Sequence, residues 1–289
     1  MKNRIFHRSF RWALISVSWV WFVILALVPV GLALLVSFCT RDYHKLFVLR
    51  FTLEHYQQLF QPVYLTIFAR SLGIAASCTL LALLLGYPFA YFIAQAKMRW
   101  QPILFLLVVI PFWTSSLVRV YAIMLILKQH GLINRVLLWL GIIHQPLRLL
   151  YSNCAVLIGA TYDLLPLMIM PIYLSVSKID PLCVEAARDL GASNWVIFWR
   201  VLIPLSKGGI VNGCLMVFLP SITLFYIPVL LGGSRSLLLG NLIENQFLVF
   251  NNWPMGAAIS SLLIAVVLVM VLVRWIRQER HMSRCRRTA

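Results

Sequence analysis

Carboxylates are scarce in this chain of 289 residues. Eight Asp and Glu stand against 25 Lys and Arg, and charged residues of all kinds make up only 11%. With 62% hydrophobic residues and a mean hydropathy of +0.90, a soluble domain of this size could not cover its apolar surface. A bilayer removes that demand. The six cysteines (Cys39, Cys78, Cys154, Cys183, Cys214, Cys285) include no Cys-x-x-Cys pair, so neither a disulfide framework nor a metal site follows. Most lie in or beside apolar runs, where cysteine behaves as a small hydrophobe. Grouped catalytic chemistry is missing too. There is no G-x-S-x-G and no H-E-x-x-H, and His7, His44, His55, His130, His144 and His281 all fall in tails or loops. An intramembrane enzyme needs a nucleophile, base or metal cluster, which these residues do not make.

The net charge of +17 would suit a nucleic-acid binder, but its distribution argues otherwise. Basic residues sit in short clusters at the ends of apolar runs, as they do where charge sets membrane orientation. Six runs reach the roughly 18 residues needed to cross hydrocarbon, at 13–38, 71–95, 102–127, 154–175, 209–231 and 255–276. The first is too long for a signal-peptide core and lacks a small-residue cleavage site, so it reads as an uncleaved helix. Prolines at 29, 88, 111, 166, 171, 220 and 228 lie inside these runs; neighbouring helices in a bundle can satisfy the backbone groups they free.

With the N-terminus inside, sixteen basic residues fall on one side and eight on the other, Arg119 remaining within a span. The bias predicts that both termini are cytoplasmic. Trp12, Trp100 and Trp275 then mark the inner interface, and Trp139 and Trp253 the outer. The apolar stretch 131–143 is short and carries Asn134 and Arg135, so it is expected to be interfacial or re-entrant. Residues 52–60 are expected along the outer interface as well. The fold class expected is therefore all-α, a polytopic bundle of about six transmembrane helices.

The loop between the fourth and fifth runs is the most informative. Asp180 followed by Pro181 reads as an N-cap and first helical residue, and Glu185 suits the positive end of the short helix that follows. Gly191 supplies a left-handed stop. Ser193 caps a second helix over 194–202, which Pro204 is expected to end. The small side chains of Ala186 and Ala187 let another surface approach the helix backbone closely. Docking on a partner and packing on its own bundle both remain open on spacing alone.

Glu185-Ala186-Ala187, three residues, Gly191, nine residues and Val201-x-Ile203-Pro204 together resemble the EAA loop of type I ABC importer permeases. The likeness extends through LGYPFAYFIA (85–94), PFWTSSLVRVYA (111–122), LLGG (230–233) and NNWPMGAA (251–258). These stretches resemble the B-type permeases of spermidine/putrescine ABC importers and cover nearly the whole chain. The resemblance implies an inner-membrane subunit that pairs with a second permease chain. Two ATPase subunits and a soluble polyamine-binding protein complete the assembly. The loop is the helix that seats in the ATPase, which puts Glu185, Ala186, Ala187 and Gly191 at that contact, with Pro204 closing the segment. No G-x-x-x-x-G-K-[ST] occurs, so ATP and Mg²⁺ belong to the partner and this chain carries no cofactor and no catalytic residue. The implied organisation is a tail, first helix and outer loop over 1–65, a permease core over 66–276 with its coupling loop at 176–206, and a basic cytoplasmic tail over 277–289. One departure stands out: several polyamine permeases carry an acidic residue just before L-x-GG, where this chain has Val229. The missing charge leaves open which cation is carried, or shifts the burden to the partner permease.

Asp163 is the only carboxylate within a run, and Arg119 the clearest buried base. Each costs about 2.5–3.5 kcal/mol at mid-bilayer unless paired or hydrated. At about 1.5 Å per residue their depths differ by roughly 5 Å, within reach of an arginine side chain. Two readings stay open. Asp163 with Tyr162, Trp113 and Tyr226 would form a cation-attracting stretch suited to a polyamine, or Asp163 and Arg119 would form a structural pair. Glu244 is expected in an outer loop. A permease for another small solute of the same branch is one alternative, and a channel or secondary transporter, which would need no ATPase, is the rival class.

Overall fold

The computed structural model describes residues 16, 19–41, 48, 50–233 and 236–288, with side chains as far as residue 276. The basic N-terminal cluster, Trp12, Lys45, Arg235 and the side chains of the C-terminal basic tail lie outside the described residues. Every regular element described is helical: α1 Trp19–Ser37, α2 Glu54–Leu59, α3 Pro62–Gln95, α4 Gln101–Trp113, α5 Ser116–Leu127, α6 Leu132–Trp139, α7 Asn153–Val176, α8 Pro181–Asp189, α9 Asn194–Thr223, α10 Leu239–Glu244 and α11 Trp253–Thr288. The all-α, polytopic fold expected from the sequence is the fold observed. By length and composition alone six stretches could span: α1, α3, Ser116–Trp139, α7, α9 and Trp253–Ile276, the third only if α5 and α6 are counted together across their break at 128–131.

Two compact units are formed, Met1–Leu65 with Leu242–Ala289 and Thr66–Asn241. In the first, α1 packs on α11. Beyond α1, Thr40 bridges Val48, Phe38 stacks on Phe51 at 5.1 Å, and Arg41 Nη2 donates to the Phe250 carbonyl at 2.7 Å. In the second unit α7 is the hub. Buried residues make up 61% of its apolar window, against 28% in α9, so α9 leaves more surface for lipid or another chain.

The α7–α9 contact depends on glycine. A Cβ on Gly209 would lie 2.5 Å from the Pro171 carbonyl oxygen, and one on Gly213 would lie 2.7 Å from Met168 Sδ. Gly209 and Gly213 form a small-x-x-x-small pair that lets two backbones meet, the usual device where lipid removes the hydrophobic drive for helix association.

The structure corrects three sequence boundaries. The expected span 102–127 is two helices, because Thr114 and Ser115 are extended, with ψ of 153° and 128°. The break is stabilised by donors to the carbonyl that it frees, described below. The expected span 209–231 ends at Thr223 and is followed by a separate π-helical turn, Pro228–Gly232. Pro204 does not end the helix begun at Asn194. A π-helical turn at Phe198–Leu202, with Ile203 N–H bonded to the Phe198 carbonyl, carries the helix through. Widening to i→i−5 bonds relieves the register that a proline would otherwise break. The same device precedes Pro29, where Val28 N–H bonds to the Val23 carbonyl.

Candidate functional site

Two groups of sequence-identified residues lie in the Thr66–Asn241 unit, one buried and one exposed. The buried group forms where α4 ends. The Pro111 carbonyl accepts from Thr114 N–H at 3.3 Å, from Thr114 Oγ1 at 2.7 Å and from Arg119 Nη1 at 3.0 Å. A guanidinium at a helix C-terminus also complements the negative end of the helix dipole. Arg119 reaches across to α7 with its other nitrogen, placing Nη2 2.7 Å from Asp163 Oδ1. The second carboxylate oxygen accepts from Tyr226 Oη at 2.8 Å, and that hydroxyl accepts from Ser116 Oγ at 2.7 Å. The Phe112 ring sits 5.6 Å from the Arg119 guanidinium carbon.

Arg119 is 9% and Asp163 4% exposed, so the charges neutralise one another away from water and each oxygen of Asp163 has a partner. Within this group Arg119 Nε is buried with no hydrogen-bond partner, and Asp163 Oδ1 is held by the ion pair with Arg119 rather than by a hydrogen bond. Arg119 and Tyr162 line a cavity of about 150 Å³ whose other walls include Phe89, Val108 and Pro166. Thus the structure brings Arg119, Asp163 and Tyr226 together. Tyr162, half exposed, borders the cavity, while Trp113 is 79% exposed and stands apart from the bonded network. Sequence reading missed Ser116, Phe112 and the Pro111 carbonyl. Ser116 lies one helical turn before Arg119, a spacing that could have nominated it.

The exposed group is α8 and the start of α9. Asp180 caps α8 by accepting from Leu182 N–H at 3.0 Å. Gly191 turns the chain at φ +80°, and Ser193 caps α9 through Val196 N–H at 3.4 Å. No residue of α8 is buried. Glu185 and Ala186 are exposed and Ala187 is partly so. Leu182, Leu190, Trp195 and Trp199 also lie open, Leu190 at 88%. Phe198, beneath them, packs edge-on against Tyr87 at 5.4 Å, and Tyr87 Oη lies 3.2 Å from Ser206 Oγ. The base of this loop is therefore fastened to α3, while its tip stays bare. Among the described residues no group of three or more His, Cys, Asp or Glu side chains could hold a metal.

The chain is a bundle of apolar, broken helices that presents a capped, largely exposed helical hairpin. Residues 82–281 match the model of the family described as "Binding-protein-dependent transport system inner membrane component", and the chain belongs to that family. It is accordingly a multi-pass inner-membrane protein. Among named relatives, the spermidine/putrescine transport system permease protein PotB of Escherichia coli (strain K12) is 45% identical over 255 residues, covering 88% of this chain and 93% of that protein. The PotB protein of Haemophilus influenzae is 40% identical over 270 residues, covering 93% and 94%. The resemblance read from the motifs is borne out. In three dimensions the chain is similar to a bacterial ABC transporter involved in import of the acidic polysaccharide alginate. The TM-score is 0.74, at 16% identity and 96% and 98% coverage, a likeness of fold alone.

Proposed function

We propose that this chain carries polyamines, spermidine and putrescine foremost, into the cytoplasm as one permease subunit of an ATP-driven importer. A second permease chain completes the pathway, two ATPase subunits supply ATP and Mg²⁺, and a soluble binding protein delivers the solute. The observation that carries the solute assignment is the 45% identity, over 88% of the chain, to a spermidine/putrescine permease.

Coupling to the ATPase is assigned to Glu185, Ala186, Ala187 and Gly191. Their placement on a capped helix with no buried residue supports that role, since such a helix leaves most of its surface free for a partner's cleft. Pro204 belongs to the same segment as a point of continuity. Because α9 runs unbroken past it, displacement of the loop is transmitted to a membrane-spanning helix as a rigid-body movement. Orientation follows the charge bias, with both termini and α8 in the cytoplasm. Asp163 is assigned to Arg119 as a structural partner, since both its oxygens are engaged. Tyr162 and Trp113, with exposed rings, are the better candidates to meet a passing ammonium. The permease core is assigned to residues 66–276.

Reconstitution of the chain with its partners in liposomes tests the reading. Uptake of labelled spermidine and putrescine should need ATP, the ATPase and the binding protein together. Uptake by the chain alone would make it a secondary transporter. ATP-driven uptake of another solute that excess polyamine fails to inhibit would reassign the cargo. Labelling of the exposed Cys183 in intact cells by an impermeant thiol reagent would place α8 on the wrong side.

A further inference from the structure

Basic residues on the extracytoplasmic side oppose the positive-inside rule, so a group of them there calls for a compensating cause. Between α5 and α7 the sequence holds Lys128, Arg135 and Arg148 and no Asp or Glu. Lys128 and Arg148 meet at a cavity of about 560 Å³, together with His130, Gln129, Leu125 and Tyr151. Among the described residues neither Lys128 nor Arg148 has a carboxylate partner.

Their proximity is built rather than incidental. Asn134 is fully buried. Its Nδ2 donates to the carbonyls of Lys128 at 3.3 Å and Leu147 at 2.9 Å, and its Oδ1 accepts from Leu147 N–H at 3.1 Å. One satisfied amide thus ties the backbone of Lys128 to the residue preceding Arg148. Gly131 is needed in the same turn, since a Cβ there would lie 2.3 Å from the Ile126 carbonyl oxygen. Tyr151 closes the cavity at φ 60°, a left-handed conformation that a non-glycine residue adopts at a cost and that recurs at functional sites. Two cationic residues therefore border one cavity, and among the described residues no carboxylate pairs with either.

We infer that this cavity binds the phosphate of an anionic lipid headgroup, with an acyl chain running along Leu125 and Leu150. The surroundings favour lipid over a soluble anion or an acidic protein surface. The cavity lies at the end of apolar α5, and Leu132, Val136 and Trp139 expose an apolar stripe at helical spacing on α6 next to it. Such a stripe is suited to lie in the headgroup region.

The test is native mass spectrometry of the purified transporter complex titrated with phosphatidylglycerol, with phosphatidylcholine, or with inorganic phosphate. Wild type should retain phosphatidylglycerol in preference to phosphatidylcholine. The double variant Lys128→Gln/Arg148→Gln should bind phosphatidylglycerol roughly ten- to thirty-fold more weakly, with phosphatidylcholine unaffected and the thermal unfolding of the complex unchanged. Lys128→Arg/Arg148→Lys should restore retention, and Arg99→Gln, outside the cavity, should leave it intact. Equal retention by the double Gln variant overturns the inference, as does equal binding of the zwitterionic lipid. Displacement of the lipid by millimolar inorganic phosphate would assign a soluble anion instead. Unchanged lipid binding with lost affinity for the soluble binding protein would make the cavity a protein contact, which also overturns it.

Discussion

The polar network around Asp163 and the helical hairpin beginning at Pro181 belong to one compact unit and answer opposite demands. Around Asp163 the strong groups turn inward: a guanidinium, a carboxylate, a phenol, a hydroxyl and a freed carbonyl exchange bonds until little is left over. In the hairpin only the termini are satisfied, by caps, and the faces stay open. Within hydrocarbon an unsatisfied polar group costs several kcal/mol, so the buried network must close on itself. A helix facing water has no such need and can leave its surface for another protein. The lesson is that partner-dependence concentrates where water meets the chain, and self-sufficiency where lipid does.

If that contrast holds, substitutions in the network should change stability, and substitutions in the hairpin should change coupling without it. The largest effect is expected from Asp163→Ala, which leaves Arg119 buried without its carboxylate and should cost about 3–5 kcal/mol. It should appear as a lowered unfolding temperature in detergent and loss of uptake. Replacing both partners, as Arg119→Leu/Asp163→Leu, should recover most of the stability. Recovery of transport by the exchanged pair Arg119→Asp/Asp163→Arg would favour a structural role for Asp163. Persistent loss with normal assembly would favour contact with the solute and break the comparison.

Next comes Tyr226→Phe, which deletes the donor to Asp163 Oδ2 and the acceptor for Ser116. A hydrogen bond to a charged group is worth about 1.5–3 kcal/mol, so thermal unfolding should register an intermediate loss. Gly209→Ala drives a Cβ against the Pro171 carbonyl and should cost about 1–3 kcal/mol by overpacking. It would sharpen the contrast by showing that the α7–α9 contact tolerates no added side chain. If Gly209→Ala leaves both stability and uptake at wild-type levels, the rigid link from the hairpin to α7 fails.

The smallest stability change is expected at Ala187→Leu, a partly exposed helical site at the surface, where shifts normally stay within about 0.5 kcal/mol. Its effect should instead be loss of the ATPase from the purified complex, read by co-purification. An Ala187→Leu chain that keeps its ATPase and its ATP-driven uptake would remove the hairpin from the coupling path.

Much of this was legible in the chain itself. Asp180, Pro181, Gly191 and Ser193 act on residues within one turn of themselves, so the hairpin could be read from spacing. The span 154–175 matched α7 to within a residue at each end, because a long, apolar, well-capped run leaves little choice. The helix before it in sequence was harder. Thr114 bonds back to the Pro111 carbonyl through its N–H and hydroxyl, but the third donor to that carbonyl, Arg119, comes from the next helix and is not signalled at the break itself. Pro204 misled for the converse reason: proline alone signals a stop, but a single π-helical turn absorbs it.

Composition, charge placement and short-range caps by themselves determined that this is a helical membrane protein with a presented hairpin, because each acts within a span or a turn. Only the tertiary structure decided which helices break, which prolines are passed, and that Tyr226, 63 residues further along, closes the network on Asp163. In lipid a freed backbone or side-chain group takes its partner from whichever helix packs beside it, and that neighbour is not written nearby in the chain.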